Sequence, residues 1–194
     1  VGANFFLTCR AGSPNTKWHP ATRFFMAGAV FYVVAAVLKI AAAHPTLHSA
    51  VRFTFFEPGA GLLLHYGFFG LTFAGAVYFL APKLLRVEWP AGGFQTSHFW
   101  LGTVGAALAG LPLVLGGLRQ GIGLNDSSAT FFDVVRSTIP FLGLSTLGTV
   151  LVLIGFGGQL FQFSQMVCTA LVRCECWDAW LERGPRSGAT RRDK

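Results

Sequence analysis

Histidines and cysteines are among the side chains of this chain that could bind a metal ion or a haem iron. His65 has the most suggestive position, because it lies inside the apolar stretch FFEPGAGLLLHYGFFG, residues 55–70. An imidazole within a membrane helix is a candidate axial ligand, a candidate proton carrier, or a hydrogen-bonded packing residue. The residue type alone leaves these three roles open.

Two smaller clusters carry weaker signals for metal binding. His44 and His48 are four residues apart and would share a face of a helix, but Pro45 lies between them and no third ligand is near. Cys174 and Cys176 form a second pair, also without further ligands. The sequence therefore predicts no metal site, and the roles of both pairs stay open.

The composition determines which elements must position these residues. The chain has 194 residues, of which 53% are hydrophobic and 12% are charged, a balance typical of membrane proteins. A spanning helix needs about 20 mostly apolar residues. Four segments meet this requirement: 23–43, 59–81, 98–118 and 141–168. We therefore predict an all-α integral membrane protein with four transmembrane helices over residues 23–168.

Flanking polar segments set the predicted orientation. Residues 1–22 are predicted to be an interfacial segment, and residues 169–194 a polar cytoplasmic tail. Eleven Lys and Arg residues fall on the side of both termini, and four fall on the other, which predicts cytoplasmic termini. The net charge of +7 sits at helix ends and in the tail, so it favours anionic lipids as partners and argues against nucleic acid.

Small residues recur in the third and fourth predicted helices. They let membrane helices approach closely, so these faces are predicted to pack on other helices, in this chain or in a partner subunit. The residues are Gly102, Gly105, Gly110, Gly155, Gly157 and Gly158.

Two stretches carry a family resemblance: YGFFGLTFAGAVYFLAPKLLRVEWP and SHFWLGTVGAALAGLPLVLGGLRQG. They resemble the last part of subunit I of the haem-copper oxidase superfamily, specifically cbb-type cytochrome c oxidases and the related nitric oxide reductases. The resemblance covers roughly residues 4 to 170. Among the matching residues are Gly67, Tyr78, Pro82, Trp89 and His98, and we interpret His98 as an interfacial residue.

The resemblance implies that haem ligands are missing. The family carries a His-x-His pair in the second of these helices, and in register with Pro82 this pair falls on Ala60 and Leu62. A family glutamate falls on Leu38 and a loop histidine on Arg52. Neither alanine nor leucine has a lone pair to give to iron, so no haem is expected through the family ligands and no catalytic residue is assigned.

We therefore expect a non-catalytic membrane subunit that scaffolds a multi-subunit electron-transfer complex, respiratory or photosynthetic, in a bacterial inner membrane. Its expected partners are other membrane subunits and lipids. A first alternative is a functional fragment of a terminal oxidase or nitric oxide reductase whose ligands come from another chain, with haem b or a pigment on His65 or on the partner. A transporter or channel ranks lowest, because Pro112 is the only notable helix interruption.

Overall fold

The computed structural model describes residues 20–89 and 93–183, with the backbone alone for 174–183. Over these residues it is helical and contains no strand. The elements are α1 (Pro20–Ala42), α2 (Pro45–Val51), α3 (Phe56–Leu62), a π-helical segment (Leu63–Gly70), α4 (Leu71–Leu85), α5 (Phe94–Leu124) and α6 (Phe131–Arg183). Most of the predicted interfacial segment, residues 1–22, lies outside the described residues.

Four helices in the described residues are long and apolar enough to cross a membrane. They are α1, the continuous helix from α3 through α4, α5, and α6. Each overlaps one of the predicted spans, so the prediction of an all-α protein with four membrane helices is confirmed.

The fourth helix is much longer than its predicted span, 141–168. It begins at Phe131, where the Thr130 side chain accepts a hydrogen bond from the Asp133 backbone N–H and donates one to the Asp133 carboxylate. This reciprocal arrangement is an N-terminal cap. The helix also continues through the first part of the predicted polar tail, because no glycine or proline occurs between 169 and Gly184.

The central helix is α5. Of the residues in its most apolar stretch, 56% are buried, against 22% to 28% in the other three spans. Helix α6 packs along α5, and α3 crosses it where Gly59 approaches Gly110 closely. The outward faces of α1, α4 and α6 expose large apolar side chains such as Ile40, Phe73 and Leu160. Such a surface needs lipid or other membrane helices around it.

The middle of the second span is π-helical and not a regular α-helix. Leu63 packs against Gly110 of α5 on one side, and Gly67 packs against Phe31 of α1 on another. A π-helical turn holds more residues than an α-helical turn, so it changes which side chains share a face. His65 lies within this segment.

Candidate functional site

Ala60 and Leu62, the positions to which the resemblance assigns the two haem ligands, lie in α3. Ala60 has no exposed surface and belongs to the hydrophobic core, while Leu62 is half-buried. The neighbouring Gly59 touches α5 so closely that a Cβ there would lie 2.7 Å from the Val114 backbone nitrogen. This segment therefore serves helix packing in the structure.

The donor chemistry of these two positions does not fit a haem iron. Iron in haem proteins takes its axial ligands from imidazole, thiolate, thioether or phenolate groups. A methyl group and an isobutyl group offer none of these, and Ala60 is enclosed by packed side chains. These two residues therefore cannot act as axial ligands of a haem iron.

His65 lies on the outside of the bundle. Its side chain is exposed, and its Nδ1 is 2.7 Å from the Gly61 carbonyl oxygen. A carbonyl can only accept, so Nδ1 donates, and in the neutral ring the lone pair is then on Nε2. Histidines that bind metals usually donate their other ring N–H in this way. His65 is thus chemically able to bind iron or magnesium that another molecule brings to this face.

A buried polar pair joins α4 to α5. The Tyr78 hydroxyl is 2.9 Å from His98 Nδ1, and the exposed fractions of the two side chains are 2% and 0%. Trp89 donates from Nε1 to the Tyr78 carbonyl at 3.1 Å. The ring of Phe24 lies 5.2 Å from both Tyr78 and His98. The structure adds to the interpretation of His98 as an interfacial residue that aromatic rings and neighbouring helices enclose its side chain.

The second nitrogen of His98 has no partner among the described residues. Gly155 of α6 lies against the ring, and a Cβ at that position would lie 3.0 Å from His98 Cδ2. A glycine at this point gives the imidazole the room it occupies.

The sequence did not point to two buried glutamines of α6, Gln159 and Gln162. Gln159 donates from Nε2 to the Ala74 carbonyl of α4 at 3.2 Å, which ties α6 to the second span. Gln162 is 8% exposed, and its carbonyl oxygen has no partner in the described part of the chain. The two residues are three positions apart within an apolar run, a spacing that places both on one helix face.

The glycines predicted to pack in α5 lie at close helix contacts. A Cβ at Gly102 would lie 2.9 Å from Leu71, and one at Gly105 would lie 2.9 Å from the Val152 backbone nitrogen. A Cβ at Gly110 would overlap Leu63. All three sites therefore bring α5 against other helices of the same chain.

The predicted glycines of α6 differ from one another. Gly155 lies against His98, and Gly158 lies against the Phe94 ring. Gly157 is exposed, with no heavy atom within 4 Å of an added Cβ. No described residue of another helix packs against Gly157, and this face of α6 points away from the bundle.

The other candidate metal ligands do not form a site among the described residues. His44 Nδ1 lies 2.8 Å from the Thr46 hydroxyl, and both His44 and His48 are exposed. The described residues contain no group of three metal-binding side chains. The side chains of Cys174 and Cys176 lie outside the described residues.

Comparison with known proteins gives two concordant matches. Residues 1–151 match the family model described as "Cytochrome C and Quinol oxidase polypeptide I". The cbb3-type cytochrome c oxidase subunit CcoN1 of Stutzerimonas stutzeri is 29% identical over 159 residues, covering 74% of this chain and 32% of that protein. The chain thus spans about a third of the length of this relative. The resemblance to oxidase subunit I is confirmed, and the chain belongs to the cytochrome c and quinol oxidase polypeptide I family.

Proposed function

We propose that this chain is a non-catalytic membrane subunit that scaffolds a multi-subunit electron-transfer complex. The observation that carries the proposal is the pair of apolar residues, Ala60 and Leu62, at the positions assigned to the family's haem ligands. Ala60 is enclosed in the core, so this part of α3 supports helix packing.

The outer surface supports the assembly with other membrane subunits. Large apolar side chains are exposed on several helices, and the exposed Gly157 offers a point of close approach on α6. The family relationship favours partners from a bioenergetic complex, and the bacterial relative favours the inner membrane as the location.

Purification of the tagged chain from its native membrane in mild detergent tests this proposal. We expect other membrane subunits of an electron-transfer complex to co-purify in fixed stoichiometry, as measured by mass spectrometry of the polypeptides. Substitution of Gly157, where an added Cβ meets nothing within 4 Å, by leucine should weaken this association. A chain that purifies alone would contradict the scaffold.

A second candidate function is a fragment of a terminal oxidase or nitric oxide reductase whose remaining ligands come from another chain. The exposed imidazole of His65 favours it, because Nδ1 donates to Gly61 and leaves Nε2 free to bind a haem or pigment of a partner.

The variant His65→Ala separates the two functions. If His65 binds a haem, the reduced-minus-oxidised spectrum of the purified complex loses or shifts a haem band. The scaffold predicts an unchanged spectrum. His44→Ala is the matched control, since His44 is also exposed and its ring Nδ1 lies against the hydroxyl of the neighbouring Thr46.

A further inference from the structure

A cleft of about 580 Å³ opens between the end of the second span and α6. Its size falls within the usual range for small-molecule pockets, about 300–1,000 Å³. The cleft is lined by Arg86, Val87, Glu88, Met166, Thr169 and Arg173. None of these residues belongs to the positions discussed for haem.

The lining divides into an apolar floor and a charged rim. Met166 and Val87 are 1% and 9% exposed, whereas Arg86, Glu88 and Arg173 are exposed. These three charged side chains form no ion pair within the described part of the chain. The cleft therefore presents both signs of charge at its rim.

The cleft lies at the membrane boundary. Arg86 directly follows Leu85, the last residue of the second span, and Arg173 lies five residues beyond the predicted fourth span, 141–168. Arg86 has φ 53°, and this left-handed conformation ends α4 and turns the chain. Arginines that directly follow the apolar spans lie at the depth of lipid headgroups.

We propose that this cleft binds the headgroup of a phospholipid that carries a primary ammonium, a phosphoethanolamine lipid. The guanidinium groups of Arg86 and Arg173 suit the phosphate, since arginine forms forked, charge-assisted hydrogen bonds with phosphate oxygens. The lipid ammonium pairs with Glu88, and the floor of Val87 and Met166 contacts the first methylene groups of the lipid chains.

The acceptors in the cleft distinguish this headgroup from an anionic one. Thr169 donates its hydroxyl proton to the Gln165 carbonyl at 2.9 Å, so its oxygen can accept a hydrogen bond from an ammonium. An ionised Glu88 carboxylate can accept hydrogen bonds but cannot donate one. A phosphatidylglycerol headgroup has the same phosphate but offers the carboxylate only neutral hydroxyl donors, and a choline headgroup has no N–H to donate.

Native mass spectrometry of the delipidated full chain tests the assignment. The chain is incubated with phosphatidylethanolamine, phosphatidylcholine and phosphatidylglycerol of identical acyl chains. We expect the ethanolamine lipid to be retained on the order of tenfold better than the choline lipid, the factor that corresponds to one charge-assisted hydrogen bond. Equal retention of these two lipids, or preferential retention of phosphatidylglycerol, would overturn the proposal.

Three variants locate the site. Glu88→Gln should abolish the preference for ethanolamine over glycerol headgroups, and Arg173→Gln should lower retention of the ethanolamine lipid. Arg136→Gln is the matched control, because Arg136 is exposed on the same helix but does not line the cleft. An equal loss in Arg136→Gln would overturn the proposal. Displacement of the bound lipid by inorganic phosphate would assign the arginines to free phosphate and would overturn the lipid as the ligand.

Discussion

At the scale of single residues, the hydrogen bond between Tyr78 and His98 is the most enclosed polar contact between two side chains in the described structure. A buried polar group without a partner loses its hydrogen bonds to water, which costs free energy. The main contribution of a buried pair is therefore that each member satisfies the other. The pair therefore holds α4 against α5 in a single register, close to Trp89 and Phe24.

Substitution of Tyr78 by phenylalanine should destabilise the protein. The ring packing remains, but both nitrogens of His98 then lack a partner among the described residues, which costs about 1–3 kcal/mol. The measurement is reversible unfolding of the detergent-solubilised chain. Tyr32→Phe is the control, because Tyr32 is 43% exposed and should unfold as the parent does. Equal stability of the two variants would show that the buried bond contributes nothing.

The connection between α5 and α6 contains a carboxylate whose pKa is set locally. The Ser128 side chain and backbone N–H both donate to the Asp126 carboxylate, at 2.7 Å and 2.9 Å, and hold its pKa below the ordinary value of 3.8. Because the folded-state pKa is lowered, this contribution to stability is present above pH 3.8 and is lost as the pH falls through the folded-state pKa.

Substitution of Ser128 by alanine should raise the pKa of Asp126 towards its ordinary value. The hydroxyl donor is lost while the backbone donor remains, so the shift should be partial. A titration of the isotope-labelled aspartate carboxyl by NMR measures it. Ser127→Ala serves as the control, and a pKa that stays equal in both variants would contradict the role of the Ser128 hydroxyl.

At the scale of elements, the contact between α5 and α6 is built on glycines from both helices. A Cβ at Gly148 would overlap the Ala109 backbone nitrogen at 2.3 Å and approach the Gly105 carbonyl oxygen at 2.7 Å. Ser145 also donates to the Ala109 carbonyl at 2.7 Å. Close backbone approach and an interhelical hydrogen bond are the forces that hold membrane helices together, since lipid surrounds both helices equally.

Substitution of Gly148 by alanine should separate α5 from α6 and destabilise the bundle by about 1–3 kcal/mol through overpacking. Gly143→Ala is the matched control on the same helix, since an added Cβ there meets nothing within 4 Å. That variant should be neutral or should gain about 0.4–1 kcal/mol from the lower entropy of its unfolded chain. Unfolding of both variants under the same detergent conditions measures the difference.

At the scale of the whole molecule, the four helices that are long and apolar enough to cross a membrane predict that the two ends of the described chain lie on the same side of it. The excess of Lys and Arg on that side predicts that this side is cytoplasmic. The orientation also determines which leaflet supplies the lipid proposed for the cleft of Arg86 and Arg173.

Reporter fusions test this topology. Green fluorescent protein after Lys194 should be fluorescent, because it folds in the cytoplasm. Alkaline phosphatase inserted between Asp126 and Ser127 should be active, because residues 125–130 connect α5 and α6 and are predicted to lie on the opposite side. A fluorescent insertion at 126 combined with an active phosphatase at the C-terminus would show the reverse orientation.

The number of membrane spans and the resemblance to the oxidases could be predicted from the sequence alone. Span number depends on local runs of apolar residues, because each helix must satisfy its own backbone hydrogen bonds in lipid. Side-chain chemistry is equally local, so the inability of Ala60 and Leu62 to bind iron follows from residue identity once the register is given. The continuation of α6 to Arg183 could also have been read from the lack of helix breakers before Gly184.

Contacts between helices were decided by the tertiary structure alone. The meeting of Tyr78 with His98, the enclosure of Gly155 against the exposure of Gly157, and the shared cleft of Arg86 and Arg173 all depend on helix rotation and crossing. A turn of helix advances by about 3.6 residues, and the π-helical segment alters that advance within the second span. Spacing along the chain therefore cannot assign these faces, whereas it does determine that the chain spans the membrane.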